Sequence, residues 1–302
     1  MCGIVGIFDT QGNREIDREA LRRMNESQHH RGPDEGELYL EKALGMGHRR
    51  LSVIDVATGQ QPFLNAARDV ALVFNGEIYN YRALRDELIA LGHAFRTKSD
   101  TEVVMNAWIA WGEDCVRRLR GMFAFGVWDR KKQTLFLARD HVGVKPMFYS
   151  LLPSGLFVFG SELKSIMTFP DLSRKLNPRA VEDYFAYGYV PEPNTIFHNA
   201  YKLSPGHAIL LKVGDRAVTP RRWWDLAFNV APARPEADVE AELIERVRTA
   251  VQSQMESEVP LGAFLSGGVD SSAVVAMMAG GRDGNSAARR RLDKRRDLTI
   301  DH

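Results

Sequence analysis

The chain has 302 residues, 44% of them apolar, and a formal net charge of +1. This length predicts about two domains with ordinary apolar cores. The nearly balanced charge excludes a bulk electrostatic attraction to nucleic acid or to an anionic membrane. Two cysteines cannot build a disulfide framework, and together with the lack of a secretory leader they predict a cytoplasmic protein.

The first 210 residues are typical of short strands mixed with a few helices. Apolar runs predict buried strands over residues 4–8 and 70–74, and period-3.6 patterns predict helices over 81–91 and 101–111. Ser99 or Asp100 is the predicted N-cap of the second helix. Two hairpins are predicted, one pairing 123–128 with 134–138 and one pairing 148–152 with 156–160. Such strands layered with helices predict an α+β sandwich.

A proline-rich stretch then marks a joint between domains. We predict a first domain over residues 1–215, a linker over 216–237 and a second, incomplete domain over 238–280. Within the second domain, a strand at 259–265, a glycine loop and a helix at 271–279 indicate the start of a doubly wound α/β nucleotide-binding domain. The arginine-rich tail 281–302 is predicted to be disordered. It is either the end of a truncated or frame-shifted product or a basic, solvated tail.

Cys2 is the first candidate for chemistry. Its small side chain permits removal of Met1, which leaves a thiol and a free α-amine of pKa about 7.7–8.0 on one residue. The amine can then act as base and the thiol as nucleophile. The alternative is that Cys2 is only a small residue after the start codon.

An ordered series of further motifs favours the nucleophile. They lie at residues 1–3, 30–34, 48–55, 75–80, 99–102, 121–125, 139–146, 161–164 and 266–272. Together they resemble the class II glutamine amidotransferase domain of the glutamine-hydrolysing asparagine synthetases, over about residues 1–280. The forms Arg31-Gly32-Pro33-Asp34 and Arg50-Leu51-Ser52 resemble asparagine synthetases rather than sugar-phosphate or phosphoribosyl amidotransferases. The resemblance implies the four-layer αββα fold of N-terminal-nucleophile hydrolases.

The same resemblance assigns the glutaminase site. Cys2 is its nucleophile, and the Asn75 side chain with the Gly76 backbone N–H forms the oxyanion hole. On its own, the Asn75-Gly76 dipeptide favours a hairpin turn, but its position at the end of an apolar strand and before Glu77 favours the oxyanion hole. Arg50 takes the α-carboxylate of glutamine, whereas Glu77 and Asp100 take its α-ammonium. The remaining glutamine-binding residues are Leu51, Ser52 and Val53. This half needs no cofactor, and no metal ligands are assigned. His30 and His48 are expected to be structural.

The loop at residues 266–272 resembles the pyrophosphate-binding loop of ATP pyrophosphatases. Glycines let backbone N–H groups face phosphate oxygens, serines add hydroxyl donors, and the following helix offers its positive end. The resemblance therefore implies ATP and Mg²⁺, with Asp270 either helping to hold Mg²⁺ or orienting the loop. The nucleotide-binding residues are Leu265, Ser266, Gly267, Gly268, Asp270, Ser271 and Ser272.

The leading hypothesis is an enzyme of the asparagine synthetase type. Glutamine, aspartate and ATP are its expected substrates, and ammonia from glutamine attacks an aspartyl adenylate. No nucleic-acid or membrane partner is expected, and a homodimer is left open. One alternative is a related amidotransferase that acts on a different carboxylate acceptor. The other is a non-synthesising fragment that retains only glutaminase activity or glutamine binding.

Overall fold

The computed structural model describes residues 1–55, 57–230 and 232–280, so the predicted tail 281–302 lies outside the described residues. The chain divides into two compact units, Met1–Ala227 and a second unit that begins at Phe228. The predicted linker 216–237 spans this division.

The first unit is built on two antiparallel sheets of six strands each. Its strands are β1 (Gly3–Asp9), β2 (Glu35–Glu41), β3 (Leu44–Arg50), β4 (Phe63–Leu64), β5 (Val70–Ile78), β6 (Gly121–Asp129), β7 (Thr134–Arg139), β8 (Phe148–Leu151), β9 (Leu156–Gly160), β10 (Tyr201–Lys202), β11 (His207–Lys212) and β12 (Arg221–Arg222). The first sheet has the order β10-β8-β9-β1-β3-β2 and the second the order β12-β11-β7-β6-β5-β4. β1 therefore has a neighbour on each side.

Five helices accompany these sheets, and two more form the described part of the second unit. They are α1 (Arg18–Glu26), α2 (Tyr81–Ala90), α3 (Asp100–Trp111), α4 (Leu163–Ile166), α5 (Pro178–Tyr187), α6 (Glu236–Ser253) and α7 (Val269–Gly280).

Three apolar clusters define four layers. Because side chains alternate along a strand, β1 sends Ile4 and Phe8 into a core shared by the two sheets. It sends Val5 and Ile7 to the opposite face, where they pack with α1 and α4. The outer face of the second sheet packs on α2 and α3. The order helix, sheet, sheet, helix confirms the predicted α+β, αββα architecture.

Most predicted elements of the first unit are present. The strand over 4–8, both helices and both hairpins are found within two residues of their expected ends. Ser99 is the N-cap of α3, where its side chain accepts a hydrogen bond from the Glu102 backbone N–H. β5 continues through Asn75 and Gly76 to Ile78, so the reading of this pair as a hairpin turn is wrong.

The second unit departs from expectation at one element. The helix predicted at 271–279 is present as part of α7, but the residues predicted as a strand, 259–265, form no regular structure. A strand needs a neighbour for its backbone N–H and C=O groups, and no strand is described in this unit. Phe264 is fully exposed and Leu265 largely so. The local apolar pattern was therefore insufficient to form a strand.

No helix within the described ranges is both long enough and apolar enough to cross a membrane.

Candidate active site

A cavity of about 200 Å³ lies where β1, β3 and β5 approach one another in the first unit. Most of the predicted glutaminase residues line it, namely Cys2, Arg50, Leu51, Val53, Asn75, Gly76, Glu77 and Asp100. These residues come from four separate segments of the sequence. Ser52 lies beside the cavity, where its backbone N–H donates to the Asp34 carboxylate at 2.8 Å.

Cys2 is held in place through its neighbours in the chain. The Ile4 N–H donates to Ser161 Oγ at 3.0 Å, and the Arg31 guanidinium donates to the Cys2 carbonyl at 2.9 Å. Glu162 in turn accepts from Arg31 at 3.0 Å. Two of the sequence motifs, at 30–34 and 161–164, therefore anchor the segment that carries the thiol.

The Cys2 thiol faces the segment that follows β3. The Leu51 backbone N–H donates to Sγ at 3.4 Å. Burial raises the pKa of the Cys2 thiol, whereas the hydrogen bond with Leu51 and the positive charges of the terminal amine, Arg50 and Lys145 lower it. Burial also lowers the pKa of the terminal α-amine, here that of Met1, which favours its neutral, basic form.

Asn75 and Gly76 lie side by side near the end of β5. Asn75 is 1% exposed, and its Nδ2 has no hydrogen-bond partner among the described residues. A Cβ at Gly76 would lie 2.3 Å from the Met122 carbonyl oxygen, so only glycine fits there. Since a buried amide donor without a partner costs stability, Nδ2 is a ready donor for a ligand oxygen in the cavity.

Two carboxylates form the acidic side of the cavity. Asp100 is fully buried and its Oδ2 accepts from the Ile78 N–H at 3.0 Å. Burial and, to a smaller extent, neighbouring Glu77 raise the pKa of Asp100 to about 7, although the backbone hydrogen bonds that its carboxylate accepts lower it. Burial also raises the pKa of Glu77, while Lys145 lowers it. A cationic ligand group would therefore be favoured here, because it would stabilise both ionised carboxylates.

Arg50 extends into the cavity from the end of β3. Its guanidinium donates to Glu35 Oε1 at 3.1 Å and to the Asp55 carbonyl at 2.6 Å. Gly59 lies against the guanidinium, since a Cβ at Gly59 would come within 2.6 Å of Nη2. The cation is thus fixed in orientation before any ligand arrives.

Sequence reasoning assigned no role in the site to several residues that line the cavity, among them Gln61 and Lys145. Gln61 is buried, and its Oε1 accepts from the Phe74 N–H at 2.7 Å, next to Asn75. Lys145 is also buried, 5% exposed, and lies in the motif 139–146. The motif was the available sequence signal for Lys145. Its burial was not predicted, because lysine side chains are almost never fully buried unless they are paired.

Asp140 organises the loop that carries Lys145. Its side chain accepts from the backbone N–H groups of Phe123, Val142, Val144 and Lys145 at 2.9–3.2 Å. We expect Asp140→Ala to lower the free energy of unfolding by about 3–5 kcal/mol, because buried N–H donors lose a charged acceptor. Urea unfolding measures this, and Asp140→Asn, which keeps one acceptor oxygen, should lose less. Equal losses in the two variants would contradict this account.

His30 and His48 do not line the cavity. His48 is buried with Nε2 3.1 Å from the Phe74 carbonyl oxygen, and burial lowers its pKa to about 3. His30 is more exposed and contacts Glu162 at 2.8 Å. Both positions agree with the structural roles expected of them.

The predicted nucleotide loop belongs to the second unit. Ser266 and Ser271 hydroxyls lie 2.9 Å apart, and the Ser271 and Ser272 hydroxyls both donate to the Gly268 carbonyl. Gly267 has φ +78°, a left-handed conformation that glycine adopts without strain. The loop leads directly into α7, so the hydroxyls gather at the positive end of a helix. Leu265 and Asp270 flank this turn.

Across the described ranges, no group of three or more His, Cys, Asp or Glu side chains is arranged to hold a metal ion. Asp270 alone offers a carboxylate in the nucleotide loop.

Comparison with known proteins yields two family matches. A model described as a glutamine amidotransferase domain matches residues 1–224, and one described as asparagine synthase matches residues 242–291. The chain is 38% identical over 287 residues to asparagine synthetase [glutamine-hydrolyzing] 3 of Bacillus subtilis (strain 168), covering 93% of this chain and 45% of that protein. A putative asparagine synthetase [glutamine-hydrolyzing] 2 of Methanocaldococcus jannaschii is 36% identical, with 92% and 57% covered.

A differently named relative is also similar. Amidase chyE of Penicillium rubens is 32% identical, with 92% of this chain and 43% of that protein covered. The chain thus spans about half the length of the curated relatives it matches. The resemblance to asparagine synthetases that the sequence motifs carry is confirmed by the two relatives of that name.

A solved structure supports the fold. The B. subtilis glutamine phosphoribosylpyrophosphate amidotransferase complexed with ADP and GMP has a TM-score of 0.52 and 18% identity, covering 92% of this chain and 64% of that chain. At this identity the likeness concerns the fold alone, and it agrees with the four layers described above. Since the amidotransferase model covers residues 1–224, well over half of the sequence, the chain belongs to the glutamine amidotransferase domain family.

Proposed function

We propose that the first unit hydrolyses the side-chain amide of glutamine to glutamate and ammonia, with Cys2 as nucleophile. One observation supports this above the others: the cavity that holds the thiol is also lined by polar groups suited to both the amide and the charged end of glutamine. Among the described residues, Asn75 Nδ2 has no acceptor, and the buried side of the cavity pairs Glu77 with Asp100. These groups match the amide oxygen and the α-ammonium of glutamine.

The chemistry begins with removal of Met1, which frees the α-amine of Cys2. The neutral amine accepts the thiol proton as sulfur attacks the amide carbon, and the carbonyl oxygen becomes an oxyanion. Asn75 Nδ2 and the Gly76 N–H donate to this oxyanion. The amine then returns its proton to the leaving nitrogen, which departs as ammonia. Water hydrolyses the remaining thioester to glutamate and restores the thiol.

The two ends of glutamine are held by opposite charges. The Arg50 guanidinium, fixed by Glu35 and the Asp55 carbonyl, pairs with the α-carboxylate. Glu77 and Asp100 pair with the α-ammonium on the other side of the cavity. Leu51 and Val53 complete the wall, and Ser52 fixes that segment through its hydrogen bond to Asp34. A ligand lacking either charge would lose one of these two charge pairings.

The proposal is tested by incubating the purified chain with glutamine and measuring glutamate and ammonia separately. Intact-protein mass establishes whether Met1 is absent from the active fraction. We expect equal amounts of both products from the processed chain. A processed, folded chain that releases neither product would contradict the proposal.

Asn75→Ala should lower kcat by about 10²–10³-fold, because one oxyanion donor is lost. The KM for glutamine should change little, since this donor acts most strongly on the charge that develops in the transition state. Steady-state kinetics separate the two constants. Gln61→Ala is a useful comparison, because Gln61 supports the same strand through the Phe74 N–H without reaching the oxyanion. A raised KM with unchanged kcat in Asn75→Ala would contradict this role.

We further propose that the second unit belongs to an ATP-dependent synthetase of the asparagine synthetase type. The match at residues 242–291 and the serine hydroxyls gathered at the start of α7 support a pyrophosphate contact. Leu265, Ser266, Gly267, Gly268, Asp270, Ser271 and Ser272 would make it. Mg²⁺ would arrive with ATP, held mainly by phosphate oxygens.

We propose aspartate as the acceptor of the ammonia. The alternative is a different carboxylate, which the similarity to an amidase also allows. Following AMP and pyrophosphate release with each acceptor separates the two.

A further inference from the structure

Lys145 is the charged group in the cavity that the proposed hydrolysis leaves unused. It is 5% exposed and lines the same cavity as Cys2 and Glu77. Within the described part of the chain, its ammonium makes neither an ion pair nor a hydrogen bond, in contrast to Arg50. Burying an unpartnered ammonium costs free energy, so a purely structural role does not account for it.

The backbone of Lys145 is fixed on both sides. Its N–H donates to Asp140 Oδ2 at 3.0 Å, and its carbonyl accepts from Arg139 Nε at 2.8 Å. Arg139 also donates to the Leu203 carbonyl at 2.6 Å, which ties the loop to the rest of the unit. A rigid loop therefore holds Lys145 beside the cavity, and its buried ammonium cannot easily turn into solvent.

Charges surround the thiol from several elements. Arg50 comes from β3, Glu77 from β5, Lys145 from the loop between β7 and β8, and Arg31 from the turn after α1. Arg31 is already paired with Glu162 and Arg50 with Glu35. Ion pairing reduces the field that a cation exerts on a third group, and of these three side-chain cations only Lys145 makes no ion pair with a described residue.

From this geometry we propose that Lys145 is a positioning residue that acts through Cys2, supplying the counter-charge that stabilises its thiolate. The inference rests on the proposed function, in which that thiol is the nucleophile. Two pKa shifts agree with it. Burial raises the pKa of the Cys2 thiol, and Lys145 is among the groups that lower it, after the Leu51 hydrogen bond, the terminal amine and Arg50. Burial lowers the pKa of Lys145, whereas Glu77 and then Cys2 raise it.

The test is the pH dependence of Cys2 alkylation by iodoacetamide in the full chain, which needs no glutamine hydrolysis. Cys115 is fully buried, and the Cys2→Ala variant supplies the background. We expect Lys145→Met to shift the alkylation curve upward by about one pH unit, so that the rate at pH 7 falls about tenfold. Lys145→Arg should keep the parent curve, as should Lys132→Met, which removes an exposed lysine on the β6–β7 turn.

The Tm of the variants and their KM for glutamine are the two further measurements. Because an unpartnered charge is removed, the Tm of Lys145→Met and Lys145→Gln should equal or exceed that of the parent, and loss of folding in both variants would overturn the proposal. An unchanged alkylation curve with a raised KM for glutamine would overturn it as well, making Lys145 a substrate clamp. A shifted curve in a chain that fails to hydrolyse glutamine would support the effect on the thiol while refuting the proposed function.

Discussion

Cys2→Ala is expected to abolish glutamine hydrolysis, with a loss of more than about 10⁴-fold in kcat. The reason is that no other nucleophile lines the cavity with a base on the same residue. The fold should be unaffected, because the thiol's hydrogen-bond contacts with the Leu51 backbone are long, at 3.4 and 3.7 Å, and Cys2 takes no part in the three apolar clusters. Glutamate release and thermal unfolding measure the two effects separately.

The matched control is Cys115→Ala. Cys115 is buried in the core beside α3, so its removal should lower stability while leaving kcat near that of the parent. A Cys2→Ala variant that still released ammonia from glutamine would disprove the nucleophile assignment.

Asp100→Asn is expected to raise the KM for glutamine by about 30-fold, which corresponds to about 2 kcal/mol of lost charge pairing. Asparagine keeps an oxygen that accepts from the Ile78 N–H, so this change isolates the charge. Asp100→Ala removes the acceptor as well and should additionally destabilise the fold. Steady-state kinetics and urea unfolding of both variants separate charge from hydrogen bonding. Equal KM values for Asp100→Asn and the parent would contradict the assignment to the α-ammonium.

The raised pKa of Asp100 determines how the stability of the fold changes with pH. The folded-state pKa of Asp100, about 7, lies above the ordinary value of 3.8 for an aspartate side chain. Between these values the folded chain holds a proton that the unfolded chain has released, so stability falls as pH rises from about 4 to 7. Asp100→Asn should therefore be more stable than the parent at pH 8, and that advantage should vanish near pH 4. The parent's kcat/KM should rise over pH 6–8 as Asp100 ionises.

The sequence allowed most of the first unit to be predicted, because its signals are local. The apolar run of β1 and the Ser99 cap of α3 each depend on a few adjacent residues, and both were predicted to within two residues. The motif resemblance brought Cys2, Asn75, Glu77 and Asp100 to one site. Whether they perform the proposed steps stays a prediction.

The features that the sequence did not predict depend on contacts between residues that are distant along the chain. The segment 259–265 has a strand-like composition, but pairing partners decide whether a strand forms, and none is described in its unit. β5 runs through Asn75 and Gly76 because β6 pairs with both, which outweighs the turn preference of that dipeptide. The burial of Lys145 follows from the hydrogen bonds of Asp140. No periodic pattern of apolar residues in the sequence predicts these bonds.

The central place of β1 has a consequence for motion. A chain end ordinarily frays, with an opening free energy near zero. Here the residues directly after Cys2 are bonded to β3 on one side and β9 on the other, and Ile4 and Val5 are fully buried. Detaching them requires the first sheet to separate, so the terminus opens about as rarely as the core itself. The segment that carries the proposed nucleophile is thus among the least mobile parts of the first unit.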